Sequence, residues 1–337
     1  MAKSYEKIWQ LILNGYSEEI IVFPIIGYHS AYINNIKFSD YVKDPRTMAE
    51  IQYKTFLYYG SDFIAPVMDL TVEAEAIGAT VSWNSIPPSI DKHISIDKID
   101  NIVHIKEDFL FLGRIPIFTE SIKILREINK DNKILCGYIT GPFTLAGNLF
   151  GHENILKYVL KNPQELSRIV NILCDFLTLY SKALIENGAE CIIIADPLSA
   201  LISPQHYNIF SLEALRVIVN EIKKRNKIAV LHTCGNAIKI LKHMAETGAH
   251  ILSIDKYIDI KTAITTVDKV IMGNIPTALF LSNPEKVKEY TLEILSISKG
   301  YRHIVASGCE IPPYANPECI KEMVKAARSF NTMILRR

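Results

Sequence analysis

An excess of charge of either sign is missing from this 337-residue chain: 37 lysines and arginines stand against 36 aspartates and glutamates, for a formal charge of +1. Without a surplus there is no electrostatic footprint for nucleic acid or for an anionic membrane surface. Long apolar runs are missing too. None approaches the length needed to cross a bilayer, and the run from Ile8 to Leu13 is too short for the apolar core of a secretory signal. The expectation is a soluble, cytoplasmic protein without membrane or nucleic-acid partners. Paired cysteine spacings are also absent. Cys136, Cys174, Cys191, Cys234, Cys309 and Cys319 are scattered, which argues against a disulfide framework and predicts reduced thiols. There is no coiled-coil heptad, low-complexity tract or short-period repeat. No Gly-x-Gly-x-x-Gly follows the first apolar run, which removes the main signal of a dinucleotide-binding sheet.

What is present is regular alternation. Eight apolar runs, near residues 21, 63, 134, 191, 228, 251, 270 and 304, are uninterrupted, as expected of parallel strands buried on both faces. Helical segments are predicted at 5–14, 45–59, 116–129, 163–187, 204–224, 237–247, 260–266 and 284–298, with a last one opening at 317. Several start on a capping residue followed by proline: Asp44-Pro45, Asn162-Pro163, Ser203-Pro204, Asn283-Pro284 and Asn316-Pro317. Residues 79–112 lack a helical period and read as an excursion of loops and short strands, among them 80–83 and 102–105, able to wall or cover a site. The predicted fold class is α/β: a closed (β/α)8 TIM-type barrel with an N-terminal helix and an excursion after the second strand, forming one domain over 1–337. An open doubly wound sheet is the alternative.

A barrel of this kind carries its chemistry at the C-terminal ends of the strands. Asp69, Thr144, Asp196, His232, Cys234, Asp255, Asn274 and Cys309 all fall at such ends. In Leu231-His232-Thr233-Cys234-Gly235 the alternation of a strand puts an imidazole and a thiol on one side, and Gly235 permits a sharp turn. Imidazole and thiolate are the ligand types zinc prefers. Cys309, closing the last strand, offers a second thiol, so His232, Cys234 and Cys309 are the expected zinc ligands. Two ordinary buried cysteines and a hydrogen-bonded histidine are the bland alternative, and the position at strand ends favours the metal. Asp255 is a candidate for the fourth, displaceable position, as are Glu73 and Glu75. Two thiolate ligands suit activation of a third sulfur. A free thiol titrates near about 8.5 and is mostly protonated at neutral pH, whereas a zinc-bound thiol is deprotonated outright. The chemistry implied is alkyl transfer to a thiol.

His232-Thr233-Cys234-Gly235-Asn236, Ser307-Gly308-Cys309-Glu310-Ile311-Pro312-Pro313, Gly141-Pro142-Phe143-Thr144 and Asp196-Pro197 together resemble the uroporphyrinogen decarboxylase superfamily. Within it they are most similar to the zinc-dependent methylcobamide:coenzyme M methyltransferases. The resemblance spans nearly the whole chain and implies an α/β barrel whose zinc motif, His-x-Cys with a distant Cys, lands on His232, Cys234 and Cys309. A more distant relative, cobalamin-independent methionine synthase, has an acidic zinc ligand about where Asp255 falls. The decarboxylases carry an arginine-rich motif after the first strand, where this chain has Gly27-Tyr28-His29-Ser30-Ala31-Tyr32. Asn148 takes the place of their tyrosine and Cys309 that of a histidine, while Asp69 looks retained. The resemblance implies a methylated corrinoid, carried on a corrinoid protein, as methyl donor and a small thiol, coenzyme M, as acceptor. Asp69 and Asp196 would organise the site. Thr144, Asn236 and Tyr207 are candidates for cofactor contacts, although helix packing and turn formation explain Tyr207 and Asn236 equally well. The rivals are a porphyrinogen decarboxylase and a non-catalytic corrinoid- or tetrapyrrole-binding protein.

Overall fold

A computed structural model describes residues 4–330; both ends of the expected 1–337 domain lie outside the described residues. Eight parallel strands form the centre: β1 (Val22–Phe23), β2 (Phe63–Ile64), β3 (Ile134–Thr140), β4 (Cys191–Ala195), β5 (Ile228–Thr233), β6 (Ile251–Ile254), β7 (Val270–Ile275) and β8 (His303–Ser307). Their order around the sheet is β1-β8-β7-β6-β5-β4-β3-β2, so each strand lies beside its neighbours in sequence. Every strand residue is buried, which is why the runs are apolar throughout rather than alternating.

The seam between β1 and β2 is nearly closed. Asp62 donates its N–H to the Val22 carbonyl at 3.1 Å, the Asp62 carboxylate accepts from Val22 N at 2.8 Å, and Arg328 of the last helix donates to the same oxygen. A carboxylate thus completes a barrel whose first two strands are too short to pair fully. A side chain added at Gly137 would meet Leu184 of the outer helix. The face of β3 bearing Cys136, Tyr138 and Thr140 therefore points into the barrel.

The predicted helices are present, with local differences. Asp44, Ser203, Asn283 and Asn316 accept cap hydrogen bonds ahead of their prolines, whereas Asn162 starts its helix without one. The 204–224 segment is three pieces, Pro204–Tyr207, a π turn Asn208–Leu212, and Glu213–Lys224. The 237–247 segment reduces to Leu241–Glu246 after a short 3₁₀ turn. Two helices that the periodicity did not reveal, Pro142–Phe150 and His152–Lys161, follow β3. The first is buried all round, so it carries no amphipathic signal.

The excursion holds short strands as expected, paired as an antiparallel hairpin, Thr80–Ser82 with Ser89–Lys92, and differs from expectation further on. The 102–105 stretch, read as a strand, belongs to the helix Ile99–His104; a short apolar run does not separate the two. Ile94, just beyond the hairpin, donates its N–H to Leu149 O at 2.8 Å, which ties the excursion to the helix after β3. Among the described residues no helix is long and apolar enough to cross a membrane.

Candidate metal centre

Strand register builds the site. Ala195, His232 and Ser253 stand side by side on β4, β5 and β6, and Ser253 Oγ lies 2.9 Å from His232 Nδ1. With Nδ1 engaged, His232 Nε2 turns to Cys234 Sγ at 3.0 Å. Cys234 Sγ lies 2.7 Å from Cys309 Sγ, which arrives from beyond β8. The cysteines are not joined by a disulfide. The three donor atoms all lie within 4.8 Å of one another, and they are the only such group of histidine, cysteine or carboxylate residues among the described residues. One nitrogen and two sulfurs this close make the donor set of a zinc site. The residues present fit that ion.

The two thiols face each other and share a hydrogen bond. Hydrogen bonding from Cys234, opposed by burial and aided by His232, pulls the Cys309 thiol well below its ordinary range, and the same hydrogen bond together with burial pushes Cys234 up. A cation at the centre would favour the thiolate form of both.

The Cys234 turn rests on Gly235, which has φ +77°. Asp255 secures it: one carboxylate oxygen accepts Gly235 N at 2.9 Å and the other accepts Lys256 N at 2.6 Å. Asp255, the candidate for the fourth position, is not among the three donors within 4.8 Å of one another, and its carboxylate holds the backbone of the turn. The other acidic candidates are engaged too. Glu73 accepts from Thr140 N and Oγ1 at 2.7 and 3.0 Å, and burial pushes its carboxyl up to about 7. Glu75 accepts from Arg114 Nε.

Asp69 and Asp196 are buried and spent on the protein. Asp69 accepts from Thr71 N and Oγ1, from Tyr28 OH at 3.1 Å and from Arg114 Nη1. Asp196 accepts from Thr144 N at 3.1 Å, Thr144 Oγ1 at 2.7 Å and Ser199 Oγ, and burial raises its carboxyl. A side chain at Gly141 would strike Asp196 within 2.6 Å, so glycine is required there for the carboxylate to reach the helix start. Both carboxylates hold neighbouring protein groups in this structure. Tyr207 is fully buried, its hydroxyl without a hydrogen-bond partner, and it lines neither main cavity beside the centre.

Two cavities open on the sulfurs. One of about 650 Å³ has Cys309 and Glu310 in its wall, with Met68, Leu70, Ile311 and hairpin residues Pro87 to Ile90. The other, about 360 Å³, is bounded by Cys234, Asn236, Thr144 and Leu201. Leu70, Asn148 and His152 line both. The excursion thus walls the site, as expected of it.

Residues 22–330 match the sequence profile of the uroporphyrinogen decarboxylase (URO-D) family. The chain belongs to that family. Over 303 residues it is 30% identical to the methylcobamide:CoM methyltransferase MtbA of Methanosarcina acetivorans, covering 85% of each protein. Against the uroporphyrinogen decarboxylase of Trichodesmium erythraeum it is 26% identical over 297 residues, with 85% and 82% covered. A solved methyltransferase from Methanosarcina mazei superposes with a TM-score of 0.90 at 25% identity, covering 98% of this chain and 99% of that one. The α/β barrel is the family's fold, and the chain is an enzyme of its methyltransferase branch.

Sequence reasoning missed Arg114, Glu310, His93 and His152. Arg114 pairs with Asp69 and Glu75 and lies 4.8 Å from the Trp83 ring; its only local mark was a position just before a helix. Glu310, whose carboxyl burial pushes up to about 8, was visible only as the neighbour of Cys309.

Proposed function

We propose that this protein moves a methyl group from a methylated corrinoid, carried on a corrinoid protein, to a small thiol, with zinc held by His232, Cys234 and Cys309. The observation that carries the reading is the close approach of one imidazole nitrogen and two sulfurs, from β5 and β8, at the meeting point of two cavities. The relatives are named for methylcobamide and CoM, which makes coenzyme M the first acceptor to test. The chemistry zinc supplies when bound here is deprotonation of an incoming thiol with its nucleophilicity retained, because two thiolate ligands donate charge.

The chain's own residues prepare that step. Ser253 fixes the His232 ring so that Nε2 faces the sulfurs. Asp255 fixes the turn that carries Cys234. The Asp196–Thr144 latch and the Asp69–Arg114 pair hold the strand exits around the mouth. Met68, Leu70 and the hairpin prolines give the cavity beside Cys309 an apolar flank. In the reaction a sulfur–carbon bond forms and the cobalt–carbon bond breaks, its electron pair staying on cobalt.

One point counts against porphyrinogen decarboxylation: both cavities lack an arginine or lysine in their walls to grip substrate carboxylates. The deciding assay is loss of methyl from methylcobalamin with a panel of thiols, with and without zinc. Thiol-dependent, zinc-dependent turnover is expected. No turnover on zinc-replete protein with any thiol rejects the proposal, and zinc-independent release of carbon dioxide from uroporphyrinogen would replace it with the decarboxylase.

A further inference from the structure

Cys309 stands on a segment that has no strand or helix to hold it. β8 ends at Ser307, and residues 308–312 beyond it form no regular element. Gly308 adds little stiffness of its own, so the sulfur is placed by what the segment touches. On one side the contact is backbone. Gly308 N donates to Ile275 O at 2.7 Å, and a side chain there would meet Asp255 Oδ1 at 2.9 Å and Lys256 N at 3.1 Å. On the other side it is the Glu310 side chain. Its Oε1 accepts Tyr28 N at 2.9 Å, and the carboxyl group fills the place that a side chain at Gly27 would take. Tyr28 is buried and begins the helix Tyr28–Ile33, so the anchor belongs to the frame of the barrel. Ile311 N adds a bond to Ile25 O at 2.9 Å, but Ile311 is two residues from the sulfur, whereas Glu310 is the next residue. A carboxylate and a carboxylic acid both accept an N–H, so the Glu310 contact holds in either protonation state.

We propose that Glu310 is a positioning residue of the zinc centre: by taking the Tyr28 N–H in the space left by Gly27, it sets where the Cys309 sulfur stands relative to Cys234 and His232. The three donors come from β5 and from this unsupported segment. His232 and Cys234 are held by Ser253 and Asp255, and Glu310 does for the second sulfur what those residues do for the first pair. The inference rests on the zinc-binding part of the reading above and not on the methyl transfer.

The test is zinc affinity of the full-length protein by competition with a chelator, with cobalt(II) in place of zinc as the spectroscopic probe. Two substitutions separate charge from reach. Glu310→Gln loses the charge but keeps an oxygen for Tyr28 N, and should bind zinc as the parent does. Glu310→Asp keeps the charge but is one methylene short, and should weaken zinc binding by about 10–100-fold, the range for losing a contact that orients a metal ligand. Glu310→Ala should match it. In both weakened variants the thiolate-to-cobalt absorption should fall toward that of Cys309→Ala. Arg114→Leu, destabilised away from the metal, should keep the parent's spectrum, which separates placement of the sulfur from general loss of stability. Parent-like zinc affinity in Glu310→Asp and Glu310→Ala, or a loss in Glu310→Gln equal to theirs, overturns the inference. A parent that binds neither metal removes the zinc reading, and the inference with it. If the parent binds zinc and shows these differences yet moves no methyl group, the inference stands and the transfer alone is lost.

Discussion

Two polar groups of side chains sit at the same end of the barrel and differ in what they leave free. Around β2, Asp69, Arg114, Glu75, Thr71 and Tyr28 direct their polar atoms at one another. Around β5 and β8, His232, Cys234 and Cys309 turn three donor atoms toward a common point and depend on Ser253 and Asp255 for orientation. A buried polar cluster satisfied within itself holds a shape. One whose lone pairs converge has chemistry to offer, because further coordination is the way it can be fully satisfied.

The sharpest way to break this comparison is Cys309→Ala. The variant should lose zinc on dialysis and drop to the background rate of methylcobalamin demethylation, with its unfolding midpoint in zinc-free buffer nearly unchanged. Metal analysis and the rate measure both, and retention of full activity would reject the donor set. Arg114→Leu should act in the opposite way. It leaves buried Asp69 without its cation, at a cost of about 3–5 kcal/mol, read by urea unfolding, while whatever protein stays folded still binds zinc. A collapse of zinc affinity without loss of stability would erase the distinction.

Glu73 sharpens the boundary between the two groups. Burial holds its carboxyl up to about 7 in the folded protein, so the native state keeps a proton that the unfolded chain has lost. Its contribution to stability is complete below the ordinary glutamate range and disappears as pH rises through about 7. Glu73→Gln should therefore gain stability over the parent between pH 5 and pH 8 by at most about 3 kcal/mol; equal unfolding curves at both pH values would mean that Glu73 ionises normally. The smallest effect is expected of Ser253→Ala. Releasing His232 Nδ1 should weaken zinc binding by about 10–100-fold, measured by competition with a chelator, with little change in folding.

Much of the fold was legible because its signals are local. Eight apolar runs and the proline-marked helix starts at 44, 203, 283 and 316 name their elements without help from distant residues. The helix Pro142–Phe150 was hidden because burial on every side erases the amphipathic period, and 102–105 was misread because a few apolar residues suit either conformation. His232 and Cys234 were legible as a pair two residues apart on a strand. Arg114 was not, since a buried arginine has the same letter as an exposed one and its partners lie 45 and 39 positions away.

Order along the chain determined the alternation of strands and helices, and with it which residues stand at strand ends, because backbone pattern and capping act over a few residues. Only the tertiary structure decided which of those strand-end groups converge. Asp255 and Cys309 both stand at strand exits, yet strand register and the Gly235 turn set the Asp255 carboxylate on backbone N–H groups and bring the Cys309 sulfur beside Cys234. That choice is made by distances across a closed barrel, which depend on how all eight strands pack.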